Sequence, residues 1–399
     1  MREPTPDERP VVVSVAGSDA GGGAGIQADV KTAEACGAFG ASVVTSVTAQ
    51  NTQGVESTHV LPVAEVDAQL DAVFEDFDVA AVKTGMLATT EIVELVADRA
   101  RETQCPVVVD PVMVAASGDR LLAPEAESAY EELIAEATLV TPNADEAAVL
   151  TGVEPETAEG LRAVGEKLVD AGADAALVKG GHVAGDPVRD VLVRGDGGGF
   201  ERETFTHPRV DTDATHGSGC TLSSAVAAEL AGGNPTPAAV ERGVDLLARA
   251  VRYPLDVGEG PGAVHHTVGL RNDAAREQTR EWAAAVTESG AGDGRVAVAT
   301  PYAEGPADVA VGGDDGVRFG RDDPLVETLL AVRERGVDHR VAVAVDAVGT
   351  VGTADAGDDW TVAERVEQVD AETDALTDGD SVVVLARDAA RVRELLDGV

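Results

Sequence analysis

Short apolar segments alternate with amphipathic ones from Val11 to the region of Cys220, and this alternation limits the fold more than any other feature of the sequence. The apolar segments are rich in valine and apolar at consecutive positions, which is typical of strands buried on both faces. The segments between them repeat apolar residues at helical spacing. Strands and helices in this order form a mainly parallel sheet covered by helices on both sides. The sequence therefore predicts an α/β fold with ligand-binding residues at the carboxyl ends of the strands.

The same pattern predicts the elements of the chain up to residue 266. The predicted strands are Val11–Val15, Ala41–Val47, Val79–Lys83, Val107–Asp110, Thr138–Val140, Ala175–Lys179 and a hairpin of Val188–Arg194 with Glu201–Phe205. The predicted helices are Gly25–Cys36, Val63–Phe74, Thr90–Arg101, Glu125–Ala135, Ala158–Ala171 and one that follows Cys220.

After His266 the pattern restarts and predicts a second, smaller α/β unit of ~130 residues, enough for a core of its own. Its predicted helices run from Asn272 to Ser289 and over Pro324–Arg335, Thr361–Val369 and Asp388–Leu396. Its predicted strands are Arg295–Ala299, Asp308–Gly312, Arg340–Asp346 and Ser381–Ala386. A chain of 399 residues is also too long for one ordinary core, so we predict two domains, residues 1–266 and residues 267–399.

Acidic residues outnumber basic ones by 72 to 30, which gives a formal net charge of −42. This balance excludes nucleic acid as a partner, because binding to phosphates needs basic patches. The acidic residues are spread along the whole chain rather than gathered in a tail. This favours a surface adapted to a high-salt cytoplasm, where screening weakens the repulsion between like charges. An ordinary acidic protein is the alternative that the composition leaves open.

The three cysteines Cys36, Cys105 and Cys220 are widely spaced and form neither a disulfide framework nor a metal-binding motif, which fits a reducing compartment. The first residues are charged and include prolines, without the apolar core of a signal peptide. No apolar run reaches the ~18 residues that a membrane helix needs. We therefore expect a soluble, cytoplasmic protein with no membrane partner.

The segment Thr215–Thr221 places glycines directly before an alanine-rich helix. A glycine-rich turn at a helix start directs backbone N–H groups and the positive end of the helix dipole at one point, where an anion binds. Gly217, Ser218 and Gly219 are therefore candidate anion-binding residues. Cys220 falls on the first helical turn, where we expect the pKa of its thiol, ~8.5 when unperturbed, to be lowered so that a thiolate can act as a base. The alternative for Cys220 is a small buried apolar residue on a tight turn.

A second glycine-rich segment, Ala16–Asp29, follows the first strand. It lacks the lysine of a P-loop and the glycine spacing of a dinucleotide-binding fold, but its glycines let the backbone approach a small ligand closely. Asp29 and Gln50 together offer a carboxylate and an amide that can pair with the ring nitrogen and amino edge of a heterocycle. Taken alone, each is better explained as a helix cap or a solvated side chain.

Charged residues also follow three later strands. Asp110 and Glu146 suit Mg²⁺ held largely through water beside nucleotide phosphates, and Lys179 can place a positive charge near the same phosphates. Asn143 and Glu146 are three residues apart at a helix start, and a capping box explains that spacing equally well.

Along the chain these strand-end segments form seven motifs: Ala16-Gly17-Ser18-Asp19 with Gly22-Gly23-Ala24-Gly25-Ile26-Gln27-Ala28-Asp29, Ala49-Gln50-Asn51-Thr52-Gln53-Gly54-Val55, Lys83-Thr84-Gly85-Met86-Leu87, Asp110-Pro111-Val112-Met113, Thr141-Pro142-Asn143 with Glu146, Lys179-Gly180-Gly181-His182, and Thr215-His216-Gly217-Ser218-Gly219-Cys220-Thr221. The series closely resembles the hydroxymethylpyrimidine and hydroxymethylpyrimidine-phosphate kinases of thiamine biosynthesis, which belong to the ribokinase-like superfamily. The resemblance covers residues 10–266.

The resemblance implies a kinase that uses ATP and Mg²⁺ to convert 4-amino-5-hydroxymethyl-2-methylpyrimidine to its monophosphate and then to its diphosphate. The substrate-binding residues that it implies are Gly17, Asp29, Gln50 and Met86. It assigns nucleotide contacts to Lys179, Asn143 and Thr212, and Mg²⁺ to Asp110 and Glu146. Cys220 corresponds to the catalytic base of related sugar kinases, and the backbone of Gly217–Cys220 to their anion hole. A homodimer is expected, and a pyridoxal-type kinase is the enzyme alternative.

Three segments of the second half resemble, more weakly, an archaeal-type thiamine-phosphate synthase domain over residues 270–399: Gly316–Gly320, Arg340–Val343 and Val382–Asp388. Arg321–Pro324 carries two aspartates where that family has serines and a histidine, so the resemblance implies a divergent domain. The resemblance leaves three roles open for this domain: a degenerate synthase, a ligand sensor or a structural unit. The alternative is an active synthase, which would make the whole chain a bifunctional kinase and synthase. Arg318 and Arg340 are candidate anchors for one phosphate. With the acidic composition, these resemblances predict a haloarchaeal source.

Overall fold

The computed structural model of the chain describes residues 7–113, 126, 128–181, 183, 185–195, 197–288, 295–313, 316–346, 362–363, 373, 375–378, 381–388 and 390–392. The chain divides into two compact units, Met1–Gly269 and Leu270–Val399. Among the described residues, no helix has both the length and the apolar character that crossing a membrane requires.

The strands of the first unit are β1 (Val11–Ala16), β2 (Phe39–Val44), β3 (Ser46–Asn51), β4 (Gly54–Val60), β5 (Val79–Thr84), β6 (Val107–Val109), β7 (Leu139–Val140), β8 (Ala175–Val178), β9 (Val188–Gly195) and β10 (Phe200–His207). In the described part of this unit, eight of them form one sheet in the order β10-β9-β8-β7-β6-β5-β1-β2. Neighbours from β8 to β2 are parallel, and β9 and β10 are added antiparallel. The predicted mainly parallel sheet is therefore confirmed.

The helices of the first unit are α1 (Gly25–Ala35), α2 (Val63–Asp76), α3 (Thr90–Glu102), α4 (Tyr130–Ala135), α5 (Ala144–Thr151), α6 (Ala158–Asp170), α7 (Ser218–Ala231) and α8 (Thr236–Arg252). Successive strand residues point to opposite faces, so Val107 and Val109 pack with α2 to α6, while Val108 packs with α1, α7 and α8. Both faces of the sheet are thus buried, which is why its strands are apolar at consecutive positions.

One predicted strand, Ala41–Val47, is wrong in its extent, because the chain turns away from the sheet at Thr45. The N–H of Thr45 donates to Ala16 O, and its hydroxyl donates to the carbonyl oxygen of Met86. Beyond it, β3 pairs with β4 in a separate antiparallel ribbon that the pattern did not predict. Of α5 only the start at Asn143 and Glu146 was predicted, and α8 was not predicted. The predicted helix Glu125–Ala135 is described as α4 from Tyr130, while Glu125 lies outside the described residues.

The second unit contains α9 (Val268–Glu288, whose first two residues belong to the first unit) and α10 (Pro324–Glu334), with strands β11 (Val296–Ala299), β12 (Val309–Gly312), β13 (Arg318–Phe319), β14 (Val341–Asp346), β15 (Val362–Ala363), β16 (Ala375–Asp378) and β17 (Ser381–Ala386). Its described strands form one sheet in the order β13-β12-β11-β14-β17-β16-β15, in which β15 and β16 alone are parallel. The predicted helix Thr361–Val369 is wrong at Val362 and Ala363, which lie in β15. The remainder of that segment, and most of the predicted helix Asp388–Leu396, lie outside the described residues.

Candidate active site

One edge of the first unit's sheet gathers the strand-end motifs. Five neighbouring strands, β8, β7, β6, β5 and β1, are parallel, so their carboxyl ends meet at this edge. Residues that follow these strands line a single cavity of about 580 Å³, and in the order of the strands they are Lys179, Asn143, Asp110, Met86 and Gly17. The order separates a charged end of the cavity from an apolar end.

The apolar end, here called the slot, lies between the loop after β1 and the loop after β5 and is lined by Gly17, Gln50 and Met86. A Cβ atom on Gly17 would lie 2.6 Å from Ser46 Oγ and 3.3 Å from Met86 Sδ, so position 17 requires glycine and its backbone lies directly against these two side chains. Gln50, at the end of β3, lines the same space, and its Oε1 accepts a hydrogen bond of 3.3 Å from Thr48 Oγ1. A heterocyclic ring with hydrogen-bonding edges suits the mixture of apolar and amide groups in this slot.

The prediction that Asp29 contacts the substrate is not supported by its position, because its carboxylate is buried behind the cavity and does not line it. Lys83 Nζ lies 2.8 and 2.9 Å from its two oxygens. The hydroxyls of Ser14 and Ser224 donate to the same carboxylate at 2.5 and 2.8 Å. With four hydrogen bonds the carboxylate is fully used within the protein, so Asp29 ties α1 to β1, β5 and α7.

The charged end of the cavity is built on the N-terminus of α7. Gly217 is the N-cap and has φ +82°, a left-handed conformation that favours glycine. Among the described residues, no acceptor is found for the N–H groups of Gly219 and Cys220, which belong to the first turn. A Cβ atom on Gly219 would lie 3.3 Å from Lys179 Nζ, so this ammonium group stands beside the helix terminus. These groups lie together where the sequence predicts an anion-binding site.

The predicted lowering of the Cys220 pKa is wrong. Cys220 lines the cavity on the first turn of α7, but burial raises the pKa of its thiol to about 12. The neighbouring Lys83 and the N–H of Gly25 favour the thiolate, whereas the carboxylates of Asp29 and Asp110 oppose it. Desolvation of the charged form outweighs the helix terminus, so Cys220 is a neutral thiol at physiological pH.

Two buried carboxylates lie on either side of Lys179. The Lys179 Nζ atom is 3.3 Å from Asp110 Oδ1 and 3.9 Å from Glu146 Oε2. Asp110 also accepts hydrogen bonds of 3.3 Å from Thr141 and Ser223. Burial raises the pKa of Glu146 to about 7, and the charge of Asp110 adds to this rise, while Lys179 opposes it. One ammonium group therefore leaves a carboxylate charge at this end of the cavity without a full counter-charge.

Asn143 has the structural role that the sequence left open. Its side chain accepts the N–H of Glu146 at 2.9 Å, and Glu146 Oε2 accepts the N–H of Asn143 at 2.8 Å, which together form a capping box at the start of α5. Both residues also line the cavity. Thr212 does not line it, and its hydroxyl accepts the N–H of Ala214 at 3.1 Å. The structure therefore brings the predicted site residues together except for Thr212 and Asp29.

The sequence analysis did not predict two pairs of interacting residues that line the cavity. His216 Nε2 lies 3.0 Å from Asp19 Oδ2, which joins the two glycine-rich loops. In the second pair, His207 Nε2 lies 3.7 Å from Asp190 Oδ2, and this carboxylate raises the pKa of His207. Asp19 and His216 both stood within motifs, but no local pattern links residues so far apart in the chain. His182, the last residue of its motif, lies outside the described residues.

Comparison with known sequences gives matches over the first unit. The family described as Phosphomethylpyrimidine kinase matches residues 19–265. A Streptomyces coelicolor protein named hydroxymethylpyrimidine/phosphomethylpyrimidine kinase is 48% identical over 268 residues, which are 67% of this chain and 98% of that protein.

Comparison with solved structures also gives matches of about this length. The Bacillus subtilis pyridoxal kinase in its ADP complex is 33% identical, with a TM-score of 0.61 over 66% of this chain and 99% of that one. The phosphomethylpyrimidine kinase of Clostridium difficile 630 is 37% identical, with a TM-score of 0.53 over 61% of this chain and 100% of that one.

Proposed function

Because this chain belongs to the phosphomethylpyrimidine kinase family, we propose that its first unit phosphorylates 4-amino-5-hydroxymethyl-2-methylpyrimidine with ATP, and then phosphorylates the monophosphate to the diphosphate. One observation carries this proposal: a single cavity is lined at one end by Gly17 and Met86 and at the other by the start of α7 at Gly219 and by Lys179, groups that suit an anion. A hydroxymethyl arm on a ring in the slot would be directed along the cavity towards a phosphate held at the helix terminus.

The charged end of the cavity supplies the interactions that phosphoryl transfer needs. The transferred group carries negative charge on its equatorial oxygens, and catalysis consists mainly of positioning and electrostatic stabilisation. The N–H groups of Gly219 and Cys220 have no acceptor among the described residues, and the ammonium group of Lys179 lies beside them, so together they would stabilise that charge without reorganisation.

Asp110 and Glu146 fit Mg²⁺ bound together with the nucleotide. Mg²⁺ in kinases is commonly held by one or two carboxylates, waters and substrate phosphates, and the described residues contain no cluster of three or more protein ligands that would suggest another kind of metal site. Burial is the main cause of the raised pKa of Glu146, and the charge of Asp110 adds to it, so a bound cation would favour the ionised carboxylate. When bound, Mg²⁺ would supply positive charge to the phosphates, while Asp110 also keeps Lys179 in place.

Cys220 is proposed to position and polarise the substrate hydroxyl rather than to act as a preformed base. A thiol with a pKa of about 12 holds its proton at neutral pH, so a resting thiolate is absent. In a loose transition state the hydroxyl proton leaves late, and little base assistance is required. In the second transfer the nucleophile is an oxygen of the monophosphate, which is already anionic. Cys220 would matter less in that step.

Product analysis tests the proposed activity. Purified chain is incubated with ATP, Mg²⁺ and the hydroxymethylpyrimidine, its monophosphate or pyridoxal, and the mono- and diphosphates are separated chromatographically. We expect both pyrimidine products to form faster than pyridoxal phosphate. Lys179→Gln should abolish turnover, whereas Lys167→Gln should not, because Lys167 lies on α6 and donates to Thr151 O away from the cavity. Faster pyridoxal phosphorylation would favour the pyridoxal-type alternative.

For the second unit we propose a divergent thiamine-phosphate synthase-like domain that binds a phosphate but does not form thiamine phosphate. Arg340 is only partly exposed, its Nε donates to Ala299 O, and its guanidinium lies 4.4 Å from the Trp282 ring centre. Burial and the nearby Arg333 lower the pKa of Arg340. Among the described residues no carboxylate forms an ion pair with Arg340. A bound anion would therefore offset the repulsion between the guanidinium groups of Arg333 and Arg340.

Asp323, one of the two aspartates in Arg321–Pro324, supports the proposal that this unit does not catalyse thiamine-phosphate synthesis. Asp323 caps α10 by accepting the N–H of Leu325 at 2.9 Å, and Arg295 Nη2 lies 2.9 Å from both of its oxygens. A carboxylate with these structural partners would repel a diphosphate rather than assist its departure. The full chain should therefore bind thiamine phosphate in calorimetry, with weaker binding in Arg340→Gln, and should form no thiamine phosphate from hydroxymethylpyrimidine diphosphate and thiazole phosphate. Steady product formation would contradict this.

We further propose that the chain acts as a homodimer in the cytoplasm of a haloarchaeal cell. The net charge of −42 supports the high-salt setting, because repulsion of this extent is tolerable where screening is strong. Light scattering of the purified chain in molar KCl measures the state of association, and a monomer would contradict the dimer.

A further inference from the structure

Two glycine-rich loops of the cavity are joined through the carboxylate of Asp19, which is 2% exposed. In the loop after β1, this carboxylate accepts hydrogen bonds of 2.8 to 2.9 Å from the N–H groups of Gly21, Gly23 and Ala24. Its Oδ2 also lies 3.0 Å from Nε2 of His216, in the loop that leads into α7. These hydrogen bonds lower the pKa of Asp19 against the opposing effect of burial, so the group is a carboxylate that requires donors.

The backbones of the two loops are also in direct contact. A Cβ atom on Gly217 would lie 1.8 Å from the carbonyl oxygen of Gly23, and a Cβ atom on Gly23 would lie 2.5 Å from His216 Cδ2. The two loops are packed so closely that neither can move towards the other unless the other moves as well. His216 directly precedes Gly217, the N-cap of α7, so a displacement at His216 moves the first N–H groups of the anion-binding site.

His216 also faces the substrate slot. Gln50 Nε2 lies 3.4 Å from the same Nε2 atom of His216. A carboxylate accepts hydrogen bonds and does not donate them, so Nε2 must carry the proton that Asp19 receives. Two N–H groups cannot hydrogen-bond to each other, which leaves the Gln50 amide available to a ring in the slot. His216 therefore lies between the group that would read the ring and the loop that would hold the phosphates.

We propose that His216 is a positioning residue that couples the two halves of the cavity: a ring bound in the slot fixes the loop after β1 and, through the Asp19–His216 hydrogen bond, sets the helix terminus that binds the nucleotide phosphates. The inference rests on the proposed kinase function of the first unit. Its consequence is that the ring substrate and the nucleotide bind more tightly together than separately. Coupling of this kind between two sites is typically 5- to 150-fold, roughly, in affinity.

The coupling is measured by calorimetry on the full chain with Mg²⁺ and AMP-PCP, a nucleotide that does not transfer its phosphoryl group. Affinity for AMP-PCP is measured with and without saturating ring substrate. In the wild type we expect the ring to tighten AMP-PCP binding by about tenfold, within the usual range for linked sites. His216→Ala should abolish this difference while changing the affinity for each ligand alone by less than about threefold. Its kcat should fall by about 10- to 100-fold, because misplaced groups act on the transition state.

Two further variants separate positioning from a structural role. His216→Gln keeps an N–H donor at a similar reach and should restore part of the coupling and of kcat. His59→Ala, at an exposed histidine on β4 outside the cavity, should leave both unchanged. Coupling that persists in His216→Ala would overturn the proposal. So would a Gln variant no better than the Ala variant, or equal losses in both separate affinities with a large fall in Tm.

The wild type tests the proposed function independently. If it phosphorylates pyridoxal rather than the hydroxymethylpyrimidine, the substrate assignment fails, and the coupling is then measured with pyridoxal as the ring. If the wild type phosphorylates the pyrimidine but AMP-PCP binding is the same with and without it, the coupling fails and the kinase assignment stands.

Discussion

At the scale of single residues, the environment of Cys220 decides what its thiol can do. A helix terminus favours a thiolate, but the same position is buried and lies near the carboxylates of Asp29 and Asp110. Desolvation is the larger effect, so the pKa rises to about 12 instead of falling. A residue type and its place on a helix therefore do not establish a catalytic base, since burial can reverse the sign of the shift.

The Cys220→Ala variant should reduce the first phosphorylation by about tenfold, the effect of losing one hydrogen bond to the reacting hydroxyl, with a smaller loss in the second. Cys220→Ser, which keeps a hydrogen-bonding group, should lose less. Single-turnover rates of both steps from pH 6 to pH 9 measure this, and the variants should keep the wild-type pH profile. A loss of 10²- to 10⁴-fold restricted to the first step would restore Cys220 as a general base.

Glu146 should make the free chain less stable as the pH rises. Its pKa in the folded state is raised to about 7, above that of an unfolded glutamate, so the folded state binds more protons between these two values. The favourable contribution is complete at low pH and is lost as the pH rises through about 7. Glu146→Gln retains an acceptor for the capping box but cannot ionise.

Thermal unfolding in EDTA at pH 5 and pH 8 measures this effect. The Tm of Glu146→Gln minus that of the wild type should be larger at pH 8 than at pH 5. A difference in Tm that is the same at both pH values would show that Glu146 ionises normally. Glu159→Gln serves as a control, because Glu159 is an exposed glutamate in the first turn of α6, away from the cavity and from Glu146.

At the scale of elements, the start of α7 depends on the loop after β1. Gly217 adopts φ +82° and contacts the carbonyl oxygen of Gly23, so both its conformation and its space require glycine. Gly233, just after α7, has the same φ of +82° but nothing within 4 Å of a Cβ atom. The two glycines therefore separate the effect of backbone conformation from the effect of close packing.

Gly233→Ala should cost about 1 kcal/mol of unfolding free energy, because a left-handed backbone is strained for alanine. Gly217→Ala should cost more and should also lower kcat by about 10²- to 10³-fold, because it displaces the N–H groups of the anion-binding site. Urea unfolding and steady-state kinetics of both variants measure this. Equal stability losses, with Gly217→Ala still active, would contradict the argument.

At the scale of the whole molecule, charge and core organisation govern stability. A net charge of −42 generates repulsion over the entire surface, and salt weakens it. Tm should therefore rise from low salt to molar KCl. Sucrose, a neutral osmolyte, stabilises proteins without screening charge. With sucrose present at a fixed concentration, the Tm should therefore still be higher in molar KCl than at low salt. A Tm that is constant across the KCl range would show that the charges are already compensated.

The boundary of the first unit yields a paired test. Val268 is fully buried with Val264 and Leu246 in a small cluster of the first unit, so a fragment that ends at His266 loses this contact while one that ends at Gly269 keeps it. The fragment 1–269 should retain kinase activity and be more stable than 1–266 by about 1.5–3 kcal/mol, the usual value for burying one valine. An inactive fragment 1–269 would show that the kinase needs residues beyond 269.

The sequence by itself determined the mainly parallel sheet, the edge at which the motifs meet and the glycine-rich start of α7, because apolar periodicity and glycine-rich turns are local properties of the chain. Only the tertiary structure decided the pKa of Cys220, the removal of Asp29 into an ion pair with Lys83, and the contact of Asp19 with His216. These depend on burial and on charges brought together from distant segments. Desolvation and electrostatic interaction act through space, so no local pattern contains them.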